Sequence, residues 1–206
     1  MAEKDTSPSV IRRIIENLPM FFDSIRDIYN TDNYCYPELF KSNCINLIAD
    51  TIDRYCDNQT DPSVLEKSLL FLNSQIGSIY LYFPTSDHTQ KLIGRLVLML
   101  GVLKYSVCRN AINLLSSIVD FKVSFSHPNY AKIIKRMEGA QKELVEKHGT
   151  TLINCLLMRE LNIKIGVLSL IKRLLEADGK YSLYLIHTMA CNDLERVMAE
   201  LFEWGD

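Results

Sequence analysis

Apolar residues return every three or four positions along nearly the whole chain, with few residues to interrupt them. Leu39, Phe40, Cys44, Leu47, Ile48, Thr51, Ile52 and Tyr55 form one such run, and Val64, Leu65, Ser68, Leu69, Leu72, Ile76 and Ile79 another. That spacing lines side chains along one stripe of a helix with 3.6 residues per turn, whereas a half-buried strand alternates by two. The 8 Gly and 6 Pro among 206 residues are too few for the tight turns of a sandwich or barrel. The chain is therefore expected to be all-α, and its 48% hydrophobic content supports a real core.

Stop and start signals divide the pattern. Ser7 and Pro8 supply an N-cap and a first-turn proline before Val10, Ile11, Ile14, Ile15 and Leu18, and Pro19 is expected to break or kink the run that continues to about Asn30. Pro37 opens the next helix, and Asp61-Pro62 caps one that carries the apolar stripe on to Ile79. The turn Pro84 to Asp87 precedes Leu92 to Leu103. Val107 to Val119 follows, then a loop through Ser126, His127 and Pro128, then Tyr130 to Val145 with Gly149 as the expected C-cap. Leu152 to Leu157, Ile163 to Leu175, Tyr181 to Met189 and Leu194 to Trp204 complete the reading. Roughly nine to eleven helices in about four or five hairpins suit HEAT-type units of about 40–47 residues. No identical repeat is visible, so periodicity leaves both a HEAT stack and a compact helical bundle open.

No constellation for catalysis emerges. His88, His127 and His148 fall between helices, and His187 shares an apolar stripe with Leu183, Ile186 and Ala190, where a half-buried, hydrogen-bonded histidine is expected. Cys35, Cys44, Cys56, Cys108, Cys155 and Cys191 are scattered without metal-ligand spacing and read as reduced, mostly buried thiols. Asp50, Asp53 and Asp57 read as an acidic helix face, and Gly94 and Gly101 as close-packing positions. No metal or other cofactor is expected. The first ten residues hold no apolar leader, and Leu92 to Leu103, broken by Arg95, is too short to span a bilayer. A cytoplasmic and nuclear location without membrane contact is the expectation.

Charge is segregated along the chain. Residues 1–66 carry 6 Lys+Arg against 12 Asp+Glu, residues 67–175 carry 15 against 6, and residues 176–206 carry 2 against 7. Solvated helix faces explain such blocks, as does a basic surface that meets an acidic partner. Nucleic acid is the lesser reading, because Glu138, Glu143 and Glu146 interleave with the lysines and form i, i+4 pairs such as Glu138 with Lys142 and Glu143 with Lys147. Arg109, Lys132, Lys135, Arg136, Arg159, Lys172 and Arg173 lie on successive elements. They are the candidate strip for an acidic or phosphorylated partner segment, with the arginines making bidentate contacts.

From Asp61 onward the chain resembles the C-terminal HEAT region of the karyopherin-beta nuclear transport receptors, transportin-SR branch. The resemblance rests on Asp61, Leu65, Leu69, Phe71, Leu72 and Pro84, and on Cys108-Arg109-Asn110-Ala111 leading to Leu114, Leu115, Ile118 and Val119. Its clearest stretch runs through Gly149, Leu152, Ile153, Leu156 and Leu157, then Val167, Leu170, Ile171, Leu174, Leu175 and Asp178, then Tyr181, Tyr184 and Leu185. Leu194, Val197, Met198, Leu201 and Phe202 are similar to the family's closing helix. The resemblance implies one right-handed, HEAT-like α-solenoid over residues 1–206, with N-terminal helices in 1–60 and karyopherin-like repeats in 61–206. It also implies recognition of cargo or adaptor proteins, though the N-terminal repeats with which such receptors hold the GTPase Ran have no counterpart here. A general helical scaffold subunit, in RNA processing or trafficking, is the alternative.

Overall fold

The computed structural model describes residues 7–28, 36–58, 61–82, 86–102, 104–158, 160–177, 181, 183–185, 187, 188 and 199, some of them by backbone alone. These residues hold eight helices and no strand: α1 (Pro8–Ile28), α2 (Tyr36–Asn58), α3 (Pro62–Ser74), α4 (Ile76–Tyr82), α5 (Ser86–Val102), α6 (Tyr105–Val119), α7 (Tyr130–Cys155) and α8 (Leu161–Ala177). Asp61 is the best-built cap. Its carboxylate accepts from the Ser63 amide at 3.0 Å and the Ser63 hydroxyl at 2.6 Å, and these bonds hold its pKa below the usual value.

The helices pack in two rows. α1, α3, α6 and α8 succeed one another in the first, α2, α5 and α7 in the second, and α4 crosses from α2 to α7. Polar contacts fix the direction of neighbours in the first row. Arg12 bonds Ser63 while Glu16 pairs with Lys67, so α1 and α3 run parallel. A Cβ on Gly166 would meet Ile112, and Arg173 pairs with Asp120, so α6 and α8 run parallel too.

The core lies between the rows. Leu152, Leu156, Leu170, Leu174 and Leu185 are each no more than 1% exposed, as their three-and-four spacing predicts. Cys44, Cys56, Cys108 and Cys155 are buried thiols, while Cys35 and Cys191 lie outside the described residues. Burial pushes the Cys155 thiol up to about 11, with the nearby Cys108 adding to the effect. Among the described residues no helix is long and apolar enough to cross a membrane.

Several local expectations are overturned. Of the expected break or kink at Pro19, the break does not occur, since α1 continues to Ile28: a proline removes one helix hydrogen bond, and the apolar stripe ahead of it, with Ile15 and Leu18 buried, outweighs that loss. The stripe from Val64 to Ile79 does not make one helix. The chain turns at Gln75, whose amide bonds back to Phe71 and Leu72, and α4 departs toward α6. Gly77 permits that course, since a Cβ there would lie 3.2 Å from the Phe121 ring. Gly149 is no C-cap; it sits buried inside α7, where Leu185 and Thr188 pack against it. Gly101 has open space around it rather than a close neighbour, and His187 is exposed rather than half-buried.

Candidate partner-binding surface

The candidate strip divides by what each cation touches. Lys132 and Arg136, one turn apart on α7, reach the C-terminal end of α4, where the last carbonyls of a helix lack intrahelical donors. Lys132 Nζ donates to the Leu81 carbonyl at 3.3 Å and Arg136 Nη1 to the Tyr80 carbonyl at 2.6 Å. Burial lowers the Arg136 pKa, so this guanidinium sits where its charge is costly without a partner. On α8, Arg173 Nη1 pairs with Asp120 at 2.5 Å, and Lys172 approaches Glu176 at 3.8 Å one turn along its own helix. Arg159 lies outside the described residues. Arg109 and Lys135 remain, and neither has a hydrogen bond or ion pair among the described residues.

The same capping device recurs with neutral donors. Tyr80, fully buried on α4, donates its hydroxyl to the Ile118 carbonyl at 2.5 Å, and burial raises its pKa. Gln141 on α7 donates to the Val119 carbonyl at 3.1 Å. Ile118 and Val119 are the last two residues of α6. The C-terminal ends of α4 and α6 are thus both closed by side chains from other helices, and Tyr80 takes part at both. Sequence reasoning missed Tyr80 and Gln141 because each bonds a residue at least 22 positions away.

Two grooves hold the remaining cations. One, of about 620 Å³, lies along α7 and is lined by Lys135, Glu138, Lys142, Glu146, Tyr181 and Tyr184 among others. Its charges are mixed. Lys142 reaches Glu146 at 3.9 Å, while Lys147 and Glu143 pair at 2.9 Å as the spacing predicts. The other, of about 430 Å³, runs between α6 and α8 and is lined by Tyr105, Arg109, Ile112, Asn113, Asn162, Ile163, Ile165 and Gly166. Among the described residues Arg109 is its one charged lining residue. Beside it α8 presents Leu161, Ile165 and Leu168 to solvent at three-and-four spacing, 48%, 54% and 37% exposed, with Lys172 between them and the 37% exposed Leu175.

One aspartate of α2 serves the fold. Asp53 bonds Lys91 at 2.7 Å and Arg95 at 2.5 Å, joining α2 to α5. Burial pushes the Asp53 carboxyl up, but its bonds to Lys91 and Arg95 outweigh that and leave it below the usual value. His148 lies in α7, half-buried against Gly94 of α5 rather than between helices, and burial lowers its pKa; Lys147 acts in the same direction and Glu143 against it.

No family model matches the chain, and neither a curated protein nor a solved structure does. The likeness to karyopherin-beta receptors therefore stands on residue spacing alone.

Proposed function

We propose that the chain is a protein-binding stack of HEAT-like helical hairpins that offers the grooves between successive helices to segments of other proteins, binding without a cofactor and without chemistry. The observation that carries this reading is the unpartnered apolar stripe of α8 along an open groove. Leu161, Ile165 and Leu168 follow one another at four and three residues on α8 and face water, and Leu175 extends the same side beyond Lys172. Covering a side chain of this size is worth about 1.5–3 kcal/mol, so a contiguous exposed stripe favours a partner.

Two further features support the hairpin stack. Neighbours in the first row run parallel, and the bonds between them join residues 51, 40 and 53 positions apart, close to a HEAT period of about 40–47. The narrower form of the proposal is recognition of cargo or adaptor proteins in transport between cytoplasm and nucleus, supported by the spacing from Gly149 to Leu185.

The test is capture of partners on the immobilised chain, followed by hydrogen-exchange mapping of the surface that each purified partner protects. Protection along α6, α7 or α8 grooves supports the reading; an absence of any partner, or protection confined to α1 and α2, refutes it. Binding of GTP-loaded Ran or nuclear-pore repeat segments selects the transport form, and partners without either select the scaffold.

A further inference from the structure

We propose that the groove between α6 and α8 binds a short extended peptide segment with one acidic side chain among apolar ones, seated on Arg109. The inference rests on the protein-binding reading and names the site and the chemistry of the occupant.

The argument starts from hydrogen-bonding capacity. Among the described residues, the groove-lining side chains of Arg109, Asn113 and Asn162 make no hydrogen bond or ion pair. Arginine brings five N–H donors in a planar fork, and each asparagine brings an acceptor and two donors. Tyr105, Arg109 and Asn113 follow at four-residue intervals on α6, so they lie along one face, with Asn162 and Ile165 on the opposite wall. The contrast with the rest of the basic segment matters. Lys132, Arg136, Lys147 and Arg173 are committed to helix ends or carboxylates, but Arg109 points into a groove with nothing to hold.

Charge selects the sign of the occupant. Among the described residues no acid lines the groove, and Lys104 stands exposed next to Tyr105 at the start of α6. Glu160, just ahead of α8, is the acid nearest in sequence. A lone guanidinium beside an apolar wall accepts one carboxylate in the bidentate manner, and the pairing strengthens as the apolar flanks exclude water.

Backbone chemistry selects its conformation. A helix satisfies its own main chain, whereas an extended segment presents unbonded N–H and C=O groups that must find partners. Asn113 and Asn162 offer both kinds from opposite walls. The floor is low at Gly166, which has no side chain and already touches Ile112. From Tyr105 to Asn113 the groove is about 12 Å long at 1.5 Å per helical residue, which accommodates about four residues of extended chain. Beyond the groove, the Asp120–Arg173 pair joins the C-terminal end of α6 to α8. Alternate apolar side chains of the segment would rest on Tyr105 and on Ile165, which are 41% and 54% exposed.

The experiment uses the full chain as bait against a displayed library of random 12-residue peptides, followed by fluorescence titration of the strongest synthetic peptide. The expected result is enrichment of sequences with a single Asp or Glu between apolar residues. Arg109→Glu should weaken binding of that peptide at least tenfold, and the paired Asn113→Ser and Asn162→Ser change should weaken it several-fold, with circular dichroism unchanged in both. Exchanging the peptide's acid for arginine should restore binding to Arg109→Glu. Peptides that bind Arg109→Glu as well as they bind the unaltered chain overturn the groove assignment while leaving protein binding by the stack intact. Peptides that bind only after residues 193–206 are removed also overturn it, because the groove would then belong to the chain's own acidic end.

Discussion

Replacing Arg136 by methionine removes the guanidinium while keeping most of the apolar stem. The charge is half-buried, its pKa is lowered by that burial, and Nη1 lies 2.6 Å from the Tyr80 carbonyl at the end of α4. A hydrogen bond to a charged group contributes about 1.5–3 kcal/mol, and a cation at a helix C-terminus adds about 0.3–1 kcal/mol. Partial solvation places the sum at the low end, so Arg136→Met should cost about 1.5–2 kcal/mol. Lys132 serves as an internal comparison: it is exposed and donates to the Leu81 carbonyl over a longer 3.3 Å, so Lys132→Met should cost about 0.5 kcal/mol. Lys135, one residue before Arg136, has no partner among the described residues, and Lys135→Met should fall within about 0.5 kcal/mol of zero. Each variant removes one positive charge, so changes in net charge cancel across the set. Urea unfolding followed by circular dichroism, at an unchanged denaturant slope, measures all three. Equal costs for the three variants, or the largest cost at Lys135, would refute the claim that Arg136 is a helix-end cap rather than part of a binding strip.

Tyr80→Phe removes one atom and leaves the Ile118 carbonyl without its donor, so it should lower stability by about 1–2 kcal/mol in the same assay. Gly166→Ala should change sign with its neighbour: the new Cβ would lie 3.0 Å from Ile112 Cγ2, which costs about 1–3 kcal/mol by overpacking. In an Ile112→Ala background that clash is gone and the change should stabilise by about 1 kcal/mol through helix propensity, which a double-mutant cycle reads directly. His148 sets a pH window. Its folded pKa lies below the usual value of about 6.5, so the unfolded chain takes up the proton first, and the stability it contributes is full above that pH and is lost as pH falls below it. His148→Gln should flatten the fall in urea midpoint between about pH 7 and pH 5, while loss of the Asp53 bonds belongs to lower pH, through the depressed Asp53 pKa.

The parts of this fold that follow from periodicity were legible in the sequence, and those that depend on contacts between distant residues were not. The three-and-four spacing of Leu170 and Leu174 marks a buried face because burial acts on each helix separately. Asp61-Pro62 marks a helix start because the cap is local. Gln75 carries no such sign: the stripe continues across it, and only the departure of α4 toward Phe121 requires the turn. Gly149 misled for a related reason, since a glycine suits a helix end and a close helix crossing equally well until its neighbours are known. The candidate strip shows the same limit. Lys132, Lys135 and Arg136 form one basic cluster in sequence, yet two of them turn to the carbonyls of α4, more than 50 residues earlier.

The segregated charges find their explanation in the stacking order. The acidic start of the chain supplies Glu16 on α1 and Asp53 on α2, and the basic middle supplies Lys67, Lys91 and Arg95 on the helices stacked directly against them. These acids and bases meet between neighbouring helices. Part of the positive charge counted for the middle is consequently neutralised inside the chain, and among the described residues α6 with its neighbouring loop and α7 keep Lys104, Arg109, Lys122 and Lys135 out of any hydrogen bond or ion pair. A continuous strip and a single seated guanidinium then predict different salt responses. Several exposed contacts weaken together once the ionic strength brings the Debye length to about 8 Å, whereas one partly desolvated arginine among apolar contacts is screened far less. Peptide affinity measured from low to physiological salt should therefore fall only a few-fold, mostly through the association rate. A fall of a hundredfold or more would return the binding role to the dispersed lysines and remove it from Arg109.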